Sequence, residues 1–152
     1  MASIRSLLSA RTPHFILVLN MNPFFRGILV GRSRSTSIAS PTYNNYYYTS
    51  SPGMTCTWKI DTTDGYILQL TFDKMSITSN CYDTCCNGYV EVRDGGTSSD
   101  PLLGTLCSGN YLGKVSSKGN HMFVKYYGRH SHDSFQATVS SKKGTSKINI
   151  NS

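Results

Sequence analysis

Acidic residues are scarce in this chain. Only 8 Asp and Glu stand against 15 Lys and Arg in 152 residues, for a formal net charge of +7. Charged residues of both signs make up 15%, against about 25% in ordinary soluble domains. Ser and Thr number 37. That balance excludes a coiled coil or long-helix protein, which needs Glu, Lys, Ala and Leu in bulk. Aromatic residues at 11% and hydrophobic residues at 38% exclude wholesale disorder. No stretch approaches the ~18–20 consecutive apolar residues of a membrane-spanning helix. No internal repeat occurs, and the length suits one domain with a single core.

The missing acids also mark boundaries. Residues 1–55 and 141–152 contain none and carry +5 and +3, whereas residues 56–140 hold all eight acids and carry −1. The basic excess therefore lies on the ends. It makes a weak case for nucleic acid, and no nucleic-acid partner is expected. Residues 1–34 are read as an N-terminal segment, either a mispredicted start, a degraded secretion signal or a transit peptide. Arg5 and Arg11 precede only a short apolar patch, Phe15–Leu19, where a signal sequence has about 7–15 apolar residues. Residues 35–140 are read as the folded domain, and residues 141–152 as a basic polar tail.

Helical periodicity is absent too, and period two takes its place. Cys56, Trp58 and Ile60 alternate with polar residues, as do Tyr66, Leu68, Leu70 and Phe72. So do Val90 and Val92, then Met122, Val124 and Tyr126, then Phe135, Ala137 and Val139. Such alternation turns one face of each strand to a core and the other to water. Asp64-Gly65, Asn87-Gly88, Asp94-Gly95-Gly96 and Lys118-Gly119-Asn120 punctuate the runs as turns. The pattern predicts an all-β, two-sheet antiparallel β-sandwich.

Cysteines number five, Cys56, Cys81, Cys85, Cys86 and Cys107, all within the strand-rich region. Their density in a small β domain points to an oxidising compartment. No C-x-x-C occurs, so neither a zinc ribbon nor a thioredoxin-like site is indicated. The count is odd, so at least one lacks a partner within the chain.

The order of motifs resembles a CUB domain from about Ser37 to Ser140. Ser37-Ile-Ala-Ser-Pro-Thr-Tyr43 and Cys56-Thr-Trp58-Lys-Ile60 resemble its opening. Leu68–Phe72, Tyr89-Val-Glu-Val-Arg-Asp-Gly95, Leu103-Gly104-x-x-Cys107, Val115–Asn120, His121–Tyr126 and Ser134–Val139 follow in the family's order. The resemblance implies a secreted, non-catalytic, CUB-like jelly roll that recognises proteins or glycans. It stands alone, as spermadhesins do, or serves as an exosite of a larger secreted protease or mosaic protein. It also implies that Cys85 pairs with Cys107. Cys81 and Cys86 are then left, at a spacing suited to a short loop disulfide. The family's first cysteine is missing, so Cys56 is unpaired or has lost its partner.

Many CUB domains bind calcium through a Glu and two Asp. The corresponding positions here are Thr78, Gly88 and Arg129. A hard cation needs several oxygen ligands, mostly carboxylate, so no family-type calcium site and no other cofactor are expected. Asp83 and Asp133 are the candidates for stray ligands.

Other constellations carry less. His130-Ser-His132-Asp133 has metal-like and catalytic residue types but reads as a solvated loop. Nothing resembles Gly-x-Ser-x-Gly, and no Asn-x-Ser/Thr acceptor occurs. Tyr46, Tyr47 and Tyr48 are interleaved near Asn44 and Asn45 and, with Arg129, form the expected ligand surface; Tyr43 is read as packing and Trp58 as core. Lys114, Lys118, Lys125 and Arg129 are a candidate basic patch for sulfated glycans.

Overall fold

The computed structural model describes residues 25–41, 53–78, 81, 84–110 and 113–145. Nine strands occur among them: β1 Phe25–Leu29, β2 Ser35–Ala39, β3 Met54–Asp61, β4 Tyr66–Ser76, β5 Tyr89–Arg93, β6 Leu102–Leu106, β7 Lys114–Ser116, β8 His121–Gly128 and β9 Ser134–Lys143. They form two sheets, a five-stranded one in the order β1-β3-β8-β5-β6 and a four-stranded one in the order β2-β9-β4-β7. Every pairing is antiparallel except β1 with β3. The chain is thus an all-β two-sheet sandwich.

The five runs with period two become β3, β4, β5, β8 and β9. Registers Cys56↔Tyr126, Trp58↔Val124 and Ile60↔Met122 set the inward face of the larger sheet. Leu70↔Val139 and Phe72↔Ala137 set that of the smaller one. Phe135 on β9 is fully buried and touches rings from both sheets. Trp58 meets it edge-on at 5.5 Å, and Tyr126 and Phe72 lie at 5.4 and 6.2 Å. Such aromatic pairs add to simple burial, so this cluster clamps the layers together.

Strand β1 extends the larger sheet ten residues before the boundary drawn at residue 35. Its burial pattern, with Gly27 and Ile28 both buried, has no clean alternation, so period two could not show it. Ile28 and Val30 belong to the core. Thr62, buried just after β3, fastens this edge to the other sheet. Its hydroxyl donates to the Val30 carbonyl at 2.8 Å and lies 2.6 Å from the Ser141 hydroxyl. Phe123 differs from the pattern in another way. It stands on the outward side of β8 yet is only 7% exposed, opposite Lys59 and Arg93 on the flanking strands. The stems of such long side chains cover apolar surface while the charged heads reach water.

Two disulfides cross-link the region around β5. Cys81 joins Cys86 and Cys85 joins Cys107, with Cα separations of 6.0 and 5.7 Å. Cys56 is a free thiol, 2% exposed on the inward face of β3. Burial pushes its pKa up, and the Arg26 charge pulls weakly the other way. Its contribution to stability is complete below the unfolded thiol's value of ~8.5 and is lost as pH rises through the raised native value. Native protein at mildly alkaline pH is therefore expected to leave Cys56 unmodified by a thiol reagent, and denaturant to expose one reactive thiol. Modification at the same rate in both states would contradict the buried placement. Phe135→Ala should cost about 3–5 kcal/mol in chemical denaturation.

Candidate functional site

Thr78, Gly88 and Arg129 are far apart in sequence, and the fold gathers them around one side chain. Thr78 follows β4, Gly88 precedes β5, and Arg129 follows β8. At their centre is the carboxylate of Asp133, fully buried in the turn from β8 to β9. Its Oδ1 accepts the Thr78 N–H at 3.0 Å, and its Oδ2 accepts the N–H groups of Arg129 and His130, both at 2.9 Å. The Asp133 backbone adds two links: its N–H donates to the His130 carbonyl at 3.0 Å, and its carbonyl accepts the Tyr126 hydroxyl at 2.7 Å. A buried carboxylate needs compensation of this kind, because desolvation without hydrogen bonds is prohibitive.

The Tyr126 hydroxyl leaves no room for a side chain at position 128, where a Cβ would collide with it. Position 88 is crowded too: a Cβ would stand 2.7 Å from Ile77 Cγ2, 3.0 Å from Asp133 Oδ2 and 3.2 Å from the Tyr127 carbonyl. The Arg129 side chain is exposed, and its Nη1 donates to Asn87 Oδ1 at 3.0 Å. The His130–Asp133 stretch is a turn, with Ser131 and His132 at its exposed tip. Among the described residues, no three His, Cys, Asp or Glu side chains group as a metal ion requires.

A family profile described as CUB domain matches residues 30–138. The chain belongs to the CUB domain family. It is 33% identical over 114 residues to Tolloid-like protein 1 of Homo sapiens, covering 74% of this chain and 11% of that protein. It is 29% identical over 92 residues to Bone morphogenetic protein 1 of Xenopus laevis, covering 60% of this chain and 12% of that protein. The MASP-1 CUB2 domain bound to Ca²⁺ superposes with a TM-score of 0.56 at 17% identity, over 74% of this chain and 96% of that domain. That likeness shows the fold. The chain thus spans about a tenth of the curated relatives named here. CUB domains are non-catalytic protein-interaction modules, and no helix among the described residues is long and apolar enough to cross a membrane.

The described residues of this CUB domain do not fit a calcium ion at that end of the sandwich. Of the four groups assembled there, one is a carboxylate, and both its oxygens already accept backbone N–H groups. The other three offer a hydroxyl, no side chain and a guanidinium. Hard divalent cations select several free oxygens.

The four cations read as one basic patch are divided by the fold. Lys114 lies on β7 in the smaller sheet, and Lys118 lies in the turn before β8. Lys125 lies on the outward face of the larger sheet, and Arg129 at the far end of β8. Lys118 instead lines a shallow cleft of about 360 Å³ with Tyr66, Asn120 and Lys143. Tyr43, Tyr46, Tyr47, Tyr48 and Asp83 lie outside the described residues. Trp58 is 4% exposed in the core.

Sequence reasoning missed the Asp133 knot and the outward pair Tyr89 and Tyr127. The tyrosines face each other across β5 and β8, with ring centroids 5.6 Å apart. Their signal is two Tyr at outward positions of strands that turn out to be neighbours, and pairing is not written in either strand alone. Asp133→Ala removes the acceptor of three backbone N–H groups at once. It is expected to destabilise by about 3 kcal/mol or more, measured by denaturant melts, whereas His132→Ala at the turn tip should be nearly silent.

Proposed function

We propose that this chain is an extracellular protein-recognition module that works without bound calcium. Two disulfides in a small sandwich support the extracellular placement, as does the CUB family itself. The observation that carries the calcium independence is the Asp133 carboxylate, engaged on both oxygens by the N–H groups of Thr78, Arg129 and His130. Loops that a metal would otherwise tie together are tied here by one internal anion. The structural relative MASP-1 CUB2 has a calcium-bound form; in this chain a permanent cation, Arg129, stands at that end, held against Asn87.

A second reading is favoured by the small share of tolloid-type relatives that the chain spans. In it, the module is an exosite that places a substrate for a larger secreted protein. A transcript that continues in frame into a protease domain would support this version over a stand-alone adhesion protein. Glycan recognition stays a finer alternative within either reading.

Melting temperature in calcium and in chelator measures the metal claim directly. The two curves are expected to coincide, since a ligand that binds only the native state raises the melting temperature. A rise at low millimolar calcium would refute the calcium-independent reading. Gly88→Asp, which restores a family carboxylate, is expected to destabilise by about 1–3 kcal/mol through overpacking against Ile77 and Asp133, and to gain no calcium response.

A further inference from the structure

The outward face of the larger sheet carries a feature that neither the fold nor the Asp133 knot requires. Lys125 and Tyr127 lie on the outward side of β8, and Arg129 follows its last residue with an exposed side chain held by Asn87 just before β5. Tyr127 is stacked with Tyr89 of β5 at an interplanar angle of 33°. The Lys125 ammonium stands 5.9 Å from the Tyr89 ring centroid, within cation–π range. The Arg129 guanidinium is fixed by Asn87, two residues before Tyr89 on β5.

Among the described residues, no acid balances these two cations. The facing residue of Lys125 on β5 is Glu91, but the Glu91 carboxylate is taken by Arg93 at 2.7 Å. Neither Lys125 nor Arg129 is in an ion pair among the described residues. Two half-buried tyrosine rings therefore lie beside two cations on the outward side of the larger sheet. Charged rims and aromatic centres of this kind are what protein interfaces use for steering and anchoring.

We propose that this strip binds an extended acidic segment of a protein partner, with carboxylates at Lys125 and Arg129 and an apolar or aromatic residue over Tyr89 and Tyr127. The proposal rests on the protein-recognition reading above and adds the partner's chemistry and its place. Charge complementarity selects an acidic occupant, and the two rings beside the cations select a side chain with a flat or apolar body.

The test is selection of a random displayed peptide library on the whole chain, in chelator. Enrichment of peptides with Asp or Glu flanking an apolar residue is expected. Their binding should fall about tenfold in the Lys125→Gln/Arg129→Gln protein, the loss of two modest charge contacts. It should fall similarly in Tyr89→Thr. It should hold in Lys142→Gln/Lys143→Gln, which removes the same charge from β9. Unchanged melting temperatures in the three variants keep the comparison one of binding. Acidic peptides that bind all variants alike would reduce the effect to net charge and overturn the strip. Selected peptides without acids, mapping elsewhere, would overturn the strip while leaving the recognition module standing. No selected peptide at all would count against both. Tight binding of a heparin oligosaccharide with the same Lys125 and Arg129 dependence, and no acidic peptide, would assign the strip to a glycan and overturn the proposal.

Discussion

The end of the sandwich where β4, β5, β8 and β9 meet depends on one buried charge. Asp133 has no access to water, so its carboxylate exists there only because three backbone N–H groups reach it. The dependence is mutual. Those N–H groups belong to segments that leave their strands and would otherwise lack acceptors. The Tyr126 hydroxyl enters the same knot from the core side through the Asp133 carbonyl, and Tyr126 packs on Phe135 two residues further along. Loop order and core packing are thus one network. Gly88 and Gly128 follow from it, since a side chain at either position would intrude on the knot or on the tyrosine that supports it.

In the same network the interior and the surface are served by different parts of one residue. Arg129 contributes its backbone N–H to the interior and its side chain to the exterior. One residue therefore separates the two tasks. Its amide serves stability and is available from any amino acid except proline, whereas its guanidinium is free to be set by what binds outside. This division puts a cation on the face without asking the core to accommodate it.

Much of the fold was legible because burial on one face writes period two into a strand. Trp58, Leu70, Val92, Val124 and Phe135 all sit inward, as their alternation implies. Strand β1 was not legible, because a short edge strand with Gly27 and Ile28 both buried has no such rhythm. Strands β2 and β6 carry no alternating apolar run and β7 has only three residues, so they were visible only through the CUB motifs they carry. The positions Thr78, Gly88 and Arg129 were found by motif order, but the group they surround was not. An Asp at the end of a turn ordinarily caps its own loop or meets solvent. Only the approach of β4, distant in sequence, shows that Asp133 is an interior anchor. The tyrosine pair was hidden for a related reason: neighbours across a sheet depend on strand order, here β8 beside β5.

The adjacency of Cys85 and Cys86 has a topological effect. The bridges 81–86 and 85–107 overlap by one peptide bond, so every bond between residues 81 and 107 lies inside at least one covalent ring. A single proteolytic cut anywhere in that interval, including the exposed turn between β5 and β6, leaves the two pieces chemically joined. The strands on either side then stay tethered at short range, so the nicked protein retains much of the closure entropy advantage of the intact one. For a protein exposed to proteases, that converts a break in the chain into damage short of separation.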